Sequence, residues 1–465
     1  VGSGTNPYLA INGVAVGTDR LSFVATATSH TLEVNTTTGA IGTSFDVDNI
    51  SVKELPGNHD TQATVGSRPI YGKHPANGYR NMLASSEDFS AAAWGKVSCT
   101  VGSNAATAPD GTTTAEKLIP SNAVTMSTSA ASGTPLTAPN GITSGATYAY
   151  SIYAKAAEFN RIELFISDGV TGGNVVFDLS SGSAVSQSNA TGVISSAENG
   201  WWRCTLSRTA SGTTAGGTGT LSSVRLSARD ATATTGNGTS GILIWGAQLE
   251  TGSTATTYQR TGASSGVAWP APPSYDITEA GQPDLHYLHY NGVSSFMVSP
   301  TITPGIDKAQ VFVGVRKLSD AATGALLESS VDAGSNAGTI LLLAPDANAS
   351  PRYGFYSRGS VASGVASSPS SSFAAPISNV VTGIGDISAD VRTIRINASS
   401  IGTSSSDQGM GNFLAYPIYT GRRGGTSLPF NGLVYSKIIR FGANLTADQI
   451  ASTERWTAQR TGVAI

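Results

Sequence analysis

The sequence is that of an all-β protein: tandem antiparallel β-sandwiches with one short helix at the C-terminal end. Apolar and polar residues alternate with period 2 in many short runs, each bounded by Gly, Ser, Asn or Asp. Strands that bury one face have this pattern. The runs follow at short, regular spacing with no helical stripe of useful length between most of them, which favours sandwiches over βαβ units. The 54 glycines, with abundant Ser and Thr, supply the polar turns that many short strands require.

The densest signals lie between Tyr148 and Tyr258. TYAYSIYAKA (147–156) alternates, with Tyr148, Tyr150, Ile152 and Ala154 on one face. RIELFISD (161–168), GNVVFDLSSG (173–182), GWWRCTLSRTA (200–210) and ILIWGAQLETG (242–252) complete the set. Ahead of them, Phe89 and Trp94 are expected to pin the opening segment over the end of the sandwich. Trp201 and Trp202 are adjacent, so they point to opposite faces. One belongs to the core; the other faces solvent, a neighbouring subunit or a ligand. From 284 onwards, strands are expected in 286–300, 308–320, 324–332, 338–346, 352–360, 391–399 and 430–442. The helix begins with Thr446 as N-cap and Gln449 as the partner of a capping box, and Gly462 ends it. Its inward stripe is read as Leu445, Ile450 and Thr453, with Glu454 and Arg455 outward.

Six blocks carry a resemblance. NMLASSEDFSAAAWGKV (81–97), NAATAPDGTTTAEKL (104–118), YSIYAKA, VFDLSSG, GWWRCTLS and IWGAQLETGSTATTYQRT (244–261) occur in this order. Together they resemble the carbohydrate-binding-module-like jelly roll recurrent in phage and prophage tail proteins. The resemblance implies a β-sandwich with a glycan-binding role and does not imply catalysis. Residues 284–465 resemble, more loosely, the concanavalin-A-like, laminin-G-like domain of such proteins, through NGVSSF, VFVGVRKL, FNGLVYSKIIR and the closing helix. FDVDNISVKEL (45–55) is similar to the closing strand of related modules.

The domain expectation follows: 1–55 as the C-terminal part of a first jelly roll, 56–80 as a linker, 81–261 as the jelly roll, 262–283 as a Pro-rich linker, and 284–465 as the concanavalin-A-like sandwich closed by helix 446–461. In the first linker, Asn58, His59, Gln62 and Arg68 are candidates for contacts at a domain joint. In the second, Trp269 and Tyr275 are candidate anchors.

Composition narrows the function. Lys+Arg 27 against Asp+Glu 30 leaves a net charge of -3, which gives no reason to expect nucleic acid as partner. No apolar run approaches the ~20 residues that span a membrane. The first residues, VGSGTNPYLAING, lack Met and are not a signal peptide, as in a processed or truncated product. Two cysteines, Cys99 and Cys204, have no metal spacing; they read as two buried thiols or as one disulfide.

Glycoside hydrolysis needs two carboxylates across a sugar-binding cleft. Here the acids are scattered, and neither an E-x-D-x-x-E strand nor a G-x-S-x-G elbow, H-E-x-x-H motif or phosphate loop occurs. His286, His289 and Asp284 do not share one face of a strand, which disfavours a metal site there. No enzyme is expected. The glycan-binding candidates are Trp201, Trp202, Trp245, Tyr258 and Arg161, because aromatic faces stack on sugar CH groups beside polar side chains. Asp46, Asp48, Asp168 and Asp346 lie in loops where they can offer oxygens to calcium; turn chemistry explains them equally.

The reading is a structural and adhesive virion component: a tail fibre, spike or head fibre that binds host-surface glycan and other virion proteins. A homo-oligomer, with a trimer favoured, is what the resemblance implies. The alternatives are a purely structural connector and a polysaccharide-degrading spike whose catalytic region lies elsewhere.

Overall fold

A computed structural model describes residues 7–11, 14–17, 32–36, 60–122, 130–133, 144–211, 223–267, 270–361, 365–368 and 372–465. The chain forms two compact units, 1–57 and 58–465. In the first, three antiparallel strands pair in the order Val14–Gly17, Pro7–Ile11, Leu32–Thr36. The closing strand expected at 42–55 falls outside the described residues.

The second unit holds two sandwiches. The first pairs two six-stranded sheets. One runs Ser183–Ser188, Gly172–Asp178, Arg161–Ser167, Ser223–Arg229, Ala130–Gly133, Trp94–Val97. The other runs Thr191–Ser196, Trp202–Thr209, Thr147–Ala156, Ile242–Thr251, Ala115–Pro120, Cys99–Ala106. Every strand pairing is antiparallel. Tyr150, Ile152 and Ala154 meet Ile162, Leu164, Phe177 and Leu226 between the sheets, all fully buried. Each of the Ile, Leu and Phe side chains contributes about 1.5–3 kcal/mol. Phe89 and Trp94 do close one end, with ring centroids 4.8 Å apart and the indole N–H of Trp94 donating to the Ser85 carbonyl at 3.0 Å.

Cys99 and Cys204 are both buried and free. They lie on strands four places apart in one sheet. At about 4.8 Å per strand that is roughly 19 Å, far beyond disulfide reach.

The second sandwich faces a seven-stranded sheet with a six-stranded one. The larger runs Ser399–Ser404, Val391–Ile396, Ile377–Asp386, Lys308–Lys317, Asn431–Phe441, Asp284–Asn291, Ile70–Pro75. The smaller runs Met297–Val298, Ile418–Thr420, Ala325–Ser329, Thr339–Leu343, Gly354–Arg358, Ala366–Ser367. Val311, Val313 and Val315 pack against Ile340, Leu342 and Phe355.

Two linker expectations need correction. Residues 56–80 do not merely link: Ile70–Pro75 is an edge strand of the second sandwich, paired with Asp284–Asn291 from Asp284↔Pro75 to His289↔Ile70. Upstream of it, Gln62 donates to the Phe296 carbonyl at 3.1 Å. Asn58, His59 and Trp269 fall outside the described residues. The 262–283 stretch likewise contributes Ile277–Glu279, which pairs with Gln259–Thr261.

The C-terminal helix, Ala447–Thr461, has the expected capping box between Thr446 and Gln449 and the expected Gly462 in the left-handed region. Its inward face differs. Glu454, Thr457, Ala458 and Thr461 are buried, while Trp456 is 41% exposed beneath the guanidinium of Arg460. Glu454 is inward because Arg395 meets it there, with Nε and Nη2 donating to its two oxygens at 2.9 and 3.1 Å. The stripe keeps helical spacing, but three of its four side chains are polar.

Candidate functional site

The expected aromatic residues form a closed cluster instead of an open platform. Trp201 and Trp245 are buried together with Tyr153 and Tyr258 packed against them. The Trp245 and Tyr258 centroids are 4.8 Å apart. The Pro-Asp-Gly turn lies over this group: Trp201 Nε1 donates to the Thr107 carbonyl at 3.1 Å and Trp245 Nε1 to the Thr114 hydroxyl at 3.0 Å. The half-buried Tyr258 shares a 2.6 Å hydrogen bond with Ser86, and its hydroxyl also donates to Glu87 at 3.2 Å. Burial, and the Glu87 charge beside it, push its pKa well above the ordinary tyrosine value. Trp202 points to the opposite face, as adjacency demands, and its indole donates to the Leu179 carbonyl at 2.8 Å. Arg161 sits near that corner, held by Asp178 at 3.0 Å.

The polar residues of the IWGAQLETGSTATTYQRT block are similarly engaged. Gln248 donates to Glu250 at 2.6 Å and accepts from the Gln259 amide at 2.8 Å. Gln259 reaches Glu279 at 2.7 Å, and Arg80 reaches the same carboxylate at 2.9 Å. Asn81 donates to the Ala247 and Gln259 carbonyls at 3.0 and 2.9 Å. This network fastens the opening segment, the closing strand and the 277–279 ribbon together, so the block has a structural duty.

The two described calcium candidates face hydrogen-bond donors. Burial opposes ionisation of Asp168, but the amides of Thr171, Ser211 and Val170 and the Arg208 guanidinium outweigh it and hold its carboxyl well below the usual range. Asp346 accepts from Arg352 at 2.8 Å and from Ser367 at 3.0 Å. Asp46 and Asp48 lie outside the described residues. Among the described residues no cluster of three or more His, Cys, Asp or Glu forms a metal cage. No described helix is long and apolar enough to cross a membrane.

An open groove of about 240 Å³ lies elsewhere, at the edge of the second sandwich where Thr420 of one sheet meets Lys437 of the other. Tyr71 and His286 stand at its rim. They are diagonal neighbours on adjacent strands, because Tyr71 opposes Leu288 and His286 opposes Lys73. Their rings stack at 5.8 Å and 9°, and the Tyr71 hydroxyl lies 2.7 Å from His286 Nδ1. Tyr71 is 63% exposed. The floor is polar: Asp60 pairs with Lys437, Lys437 donates to the Thr420 hydroxyl at 2.8 Å, and Thr420 donates to Asp60 at 3.1 Å. Leu288, Tyr290 and Val434 form an apolar wall. An exposed ring beside fixed hydroxyl, ammonium and carboxylate groups suits a polyol, whose CH faces stack while its hydroxyls hydrogen-bond. Sequence reasoning missed this site because its strand was taken for a linker. The visible signal was the alternation in IYGKHP.

No known family profile matches the sequence, and no curated protein does either. Among solved structures, the chain is similar to the CBM40 module of the Ruminococcus gnavus IT-sialidase bound to α2,3-sialyllactose, at 16% identity and TM-score 0.27, over 34% of this chain and 97% of that one. It is also similar to a heptameric SAP-like pentraxin from Limulus polyphemus, at 12% identity and TM-score 0.30, over 36% of this chain and 80% of that one. A third is the K499G mutant of the NanB sialidase from Streptococcus pneumoniae, at 15% identity and TM-score 0.28, over 36% of this chain and 27% of that one. Similarity at this level carries no argument about what this chain binds.

Proposed function

We propose that the chain is an adhesive, non-catalytic component that holds a glycan in the groove beside Tyr71 and His286. The observation that carries this reading is the exposed, stacked Tyr71–His286 pair above the Asp60–Thr420–Lys437 floor. The order of the six sequence blocks supports placing the chain on a phage or phage-like particle, as a fibre or spike working as a homo-oligomer. Repetition in such an assembly multiplies a weak single-site affinity. A calcium ion is not required by this reading. The purely structural connector is a second reading, favoured by the closed Trp201–Trp245–Tyr258 cluster and the Gln248–Gln259 network.

The test is a glycan array and affinity electrophoresis on the full chain with host-surface polysaccharides. Binding is expected, and Tyr71→Ala weakens it about tenfold, equivalent to about 1.4 kcal/mol. A folded chain that retains no glycan sinks the adhesive reading and leaves the connector. New reducing ends after incubation with polysaccharide mean that the chain cuts, and the non-catalytic reading fails.

A further inference from the structure

The opposite face of the seven-stranded sheet carries a second pocket, of about 280 Å³. Four adjacent or near-adjacent strands each send one side chain into it: His74, Tyr435, Arg316 and Ser378. The turn Ala76–Tyr79 and the helix end at Thr461 and Gly462 complete the rim. All of these groups are outside the groove described above except Tyr435, which lines both.

The wall is a connected polar chain. His74 Nδ1 lies 2.8 Å from the Pro75 carbonyl, so that nitrogen carries the proton in the neutral ring. Nε2 then accepts, and Tyr435 donates to it at 2.7 Å. The Tyr435 oxygen is left as an acceptor, and the Ser378 hydroxyl hydrogen-bonds with it. Arg316 Nη1 donates to the Ser378 hydroxyl at 3.2 Å, and the guanidinium lies 5.3 Å above the centroid of Tyr79.

Arg316 is the outstanding group. It is half-buried, its Nε is buried without an acceptor, and no carboxylate forms an ion pair with it among the described residues. Asp284, an acid whose field reaches His74, is itself held by Lys73 at 2.8 Å. The helix C-terminus brings about half a negative charge to the rim, less than the full charge of a guanidinium. The pocket is therefore net positive, preformed by rigid strands, and lined by hydroxyl, imidazole and backbone groups. A partly desolvated guanidinium without a counter-charge is costly, and a planar carboxylate matches its donor fork.

We propose that this pocket binds a carboxylate-bearing, hydroxylated ligand of monosaccharide size, a sugar acid. Arg316 pairs with the carboxylate while Tyr435 and Ser378 receive ligand hydroxyls. The site is independent of the glycan groove and stands whether or not that groove binds.

The probe is D-glucuronate, followed by saturation-transfer NMR on the full chain at pH 7, with D-glucose and methyl glucuronate as neutral comparisons. Glucuronate is expected to receive saturation at least tenfold more strongly than either neutral sugar. Arg316→Gln abolishes the difference, and Val193→Ala, at an exposed residue on the edge of the first sandwich and in neither pocket, leaves it intact. Ser378→Asp places a carboxylate beside Arg316; it is expected to remove glucuronate binding while keeping or raising the unfolding temperature, which separates lost recognition from lost folding. Equal signals from glucose and glucuronate, no glucuronate signal, or undiminished binding in folded Arg316→Gln or Ser378→Asp protein would each overturn the proposal.

Discussion

Glu454 shows how far a single side chain can depart from its sequence pattern. On a helix of this composition a Glu followed by Arg reads as solvated surface. Here it has no exposed area and neutralises Arg395. Glu454→Ala leaves that guanidinium without a partner and should destabilise the protein by about 2–4 kcal/mol, less than a fully buried pair because Arg395 keeps some solvent. Chemical denaturation checks this, with Glu454→Gln expected to lose less. The buried histidines make a second prediction. Burial, with Arg316 nearby and the Pro75 carbonyl opposing, lowers the His74 pKa to about 4; burial alone lowers His289 to about 4. Unfolded histidine titrates near 6.5, so the unfolded chain binds more protons between those values. The histidines' contribution to stability is thus complete above about pH 6.5 and falls toward pH 4, by up to about 3 kcal/mol per histidine. Glu116 works in the other direction, since burial, against the Phe89 amide, raises its pKa to about 7. Its contribution grows as pH falls from about 7 to 4.5. Melting curves at pH 7 and pH 5 should therefore show His74→Gln losing less on acidification than the parent, and Glu116→Gln losing more.

Strands were legible where alternation was strong. TYAYSIYAKA and RIELFISD match Thr147–Ala156 and Arg161–Ser167 closely, since large β-branched and aromatic residues face a single core. Ile377–Asp386 escaped notice although it pairs with Lys308–Lys317 along its full length. Its Gly383 and Gly385 erase the alternation, because Phe355 and Ser357 from the opposing sheet fill the space their side chains would need. Gly314 serves the helix in the same manner. A Cβ there would overlap the Thr461 hydroxyl and crowd Ser436. Gly314→Ala is expected to push the helix off the sheet and cost about 1–3 kcal/mol. Adding Thr461→Ala should recover part of that loss in a double-mutant cycle, the coupling expected of residues in contact.

Across the whole molecule, chain order and spatial order part company. The edge of the second sandwich comes from residues 70–75, separated from the rest of its sheet by an entire sandwich. A fragment of residues 284–465 would expose the backbone of Asp284–Asn291 as a bare edge. It is expected to self-associate and to melt lower than the intact chain, and a peptide of residues 60–76 added in trans should raise the melting point and reduce association. Light scattering and calorimetry measure both. The isolated 81–261 segment suffers a related loss, since it lacks Arg80 and Glu279, which hold Gln259 and one another.

Alternation, turn residues and caps act over a few neighbours, so the all-β class, most strands and the helix with its capping box could be read from the chain. Pairing between distant strands depends on which apolar faces find cover, and no local pattern encodes that. Folding alone therefore closed the Trp201 and Trp245 rings beneath a turn and drew Glu454 inward. It also brought Asp60, Tyr71, His286 and Lys437 from three far-separated segments to one groove, because burying apolar faces leaves polar groups to meet where the sheets run out.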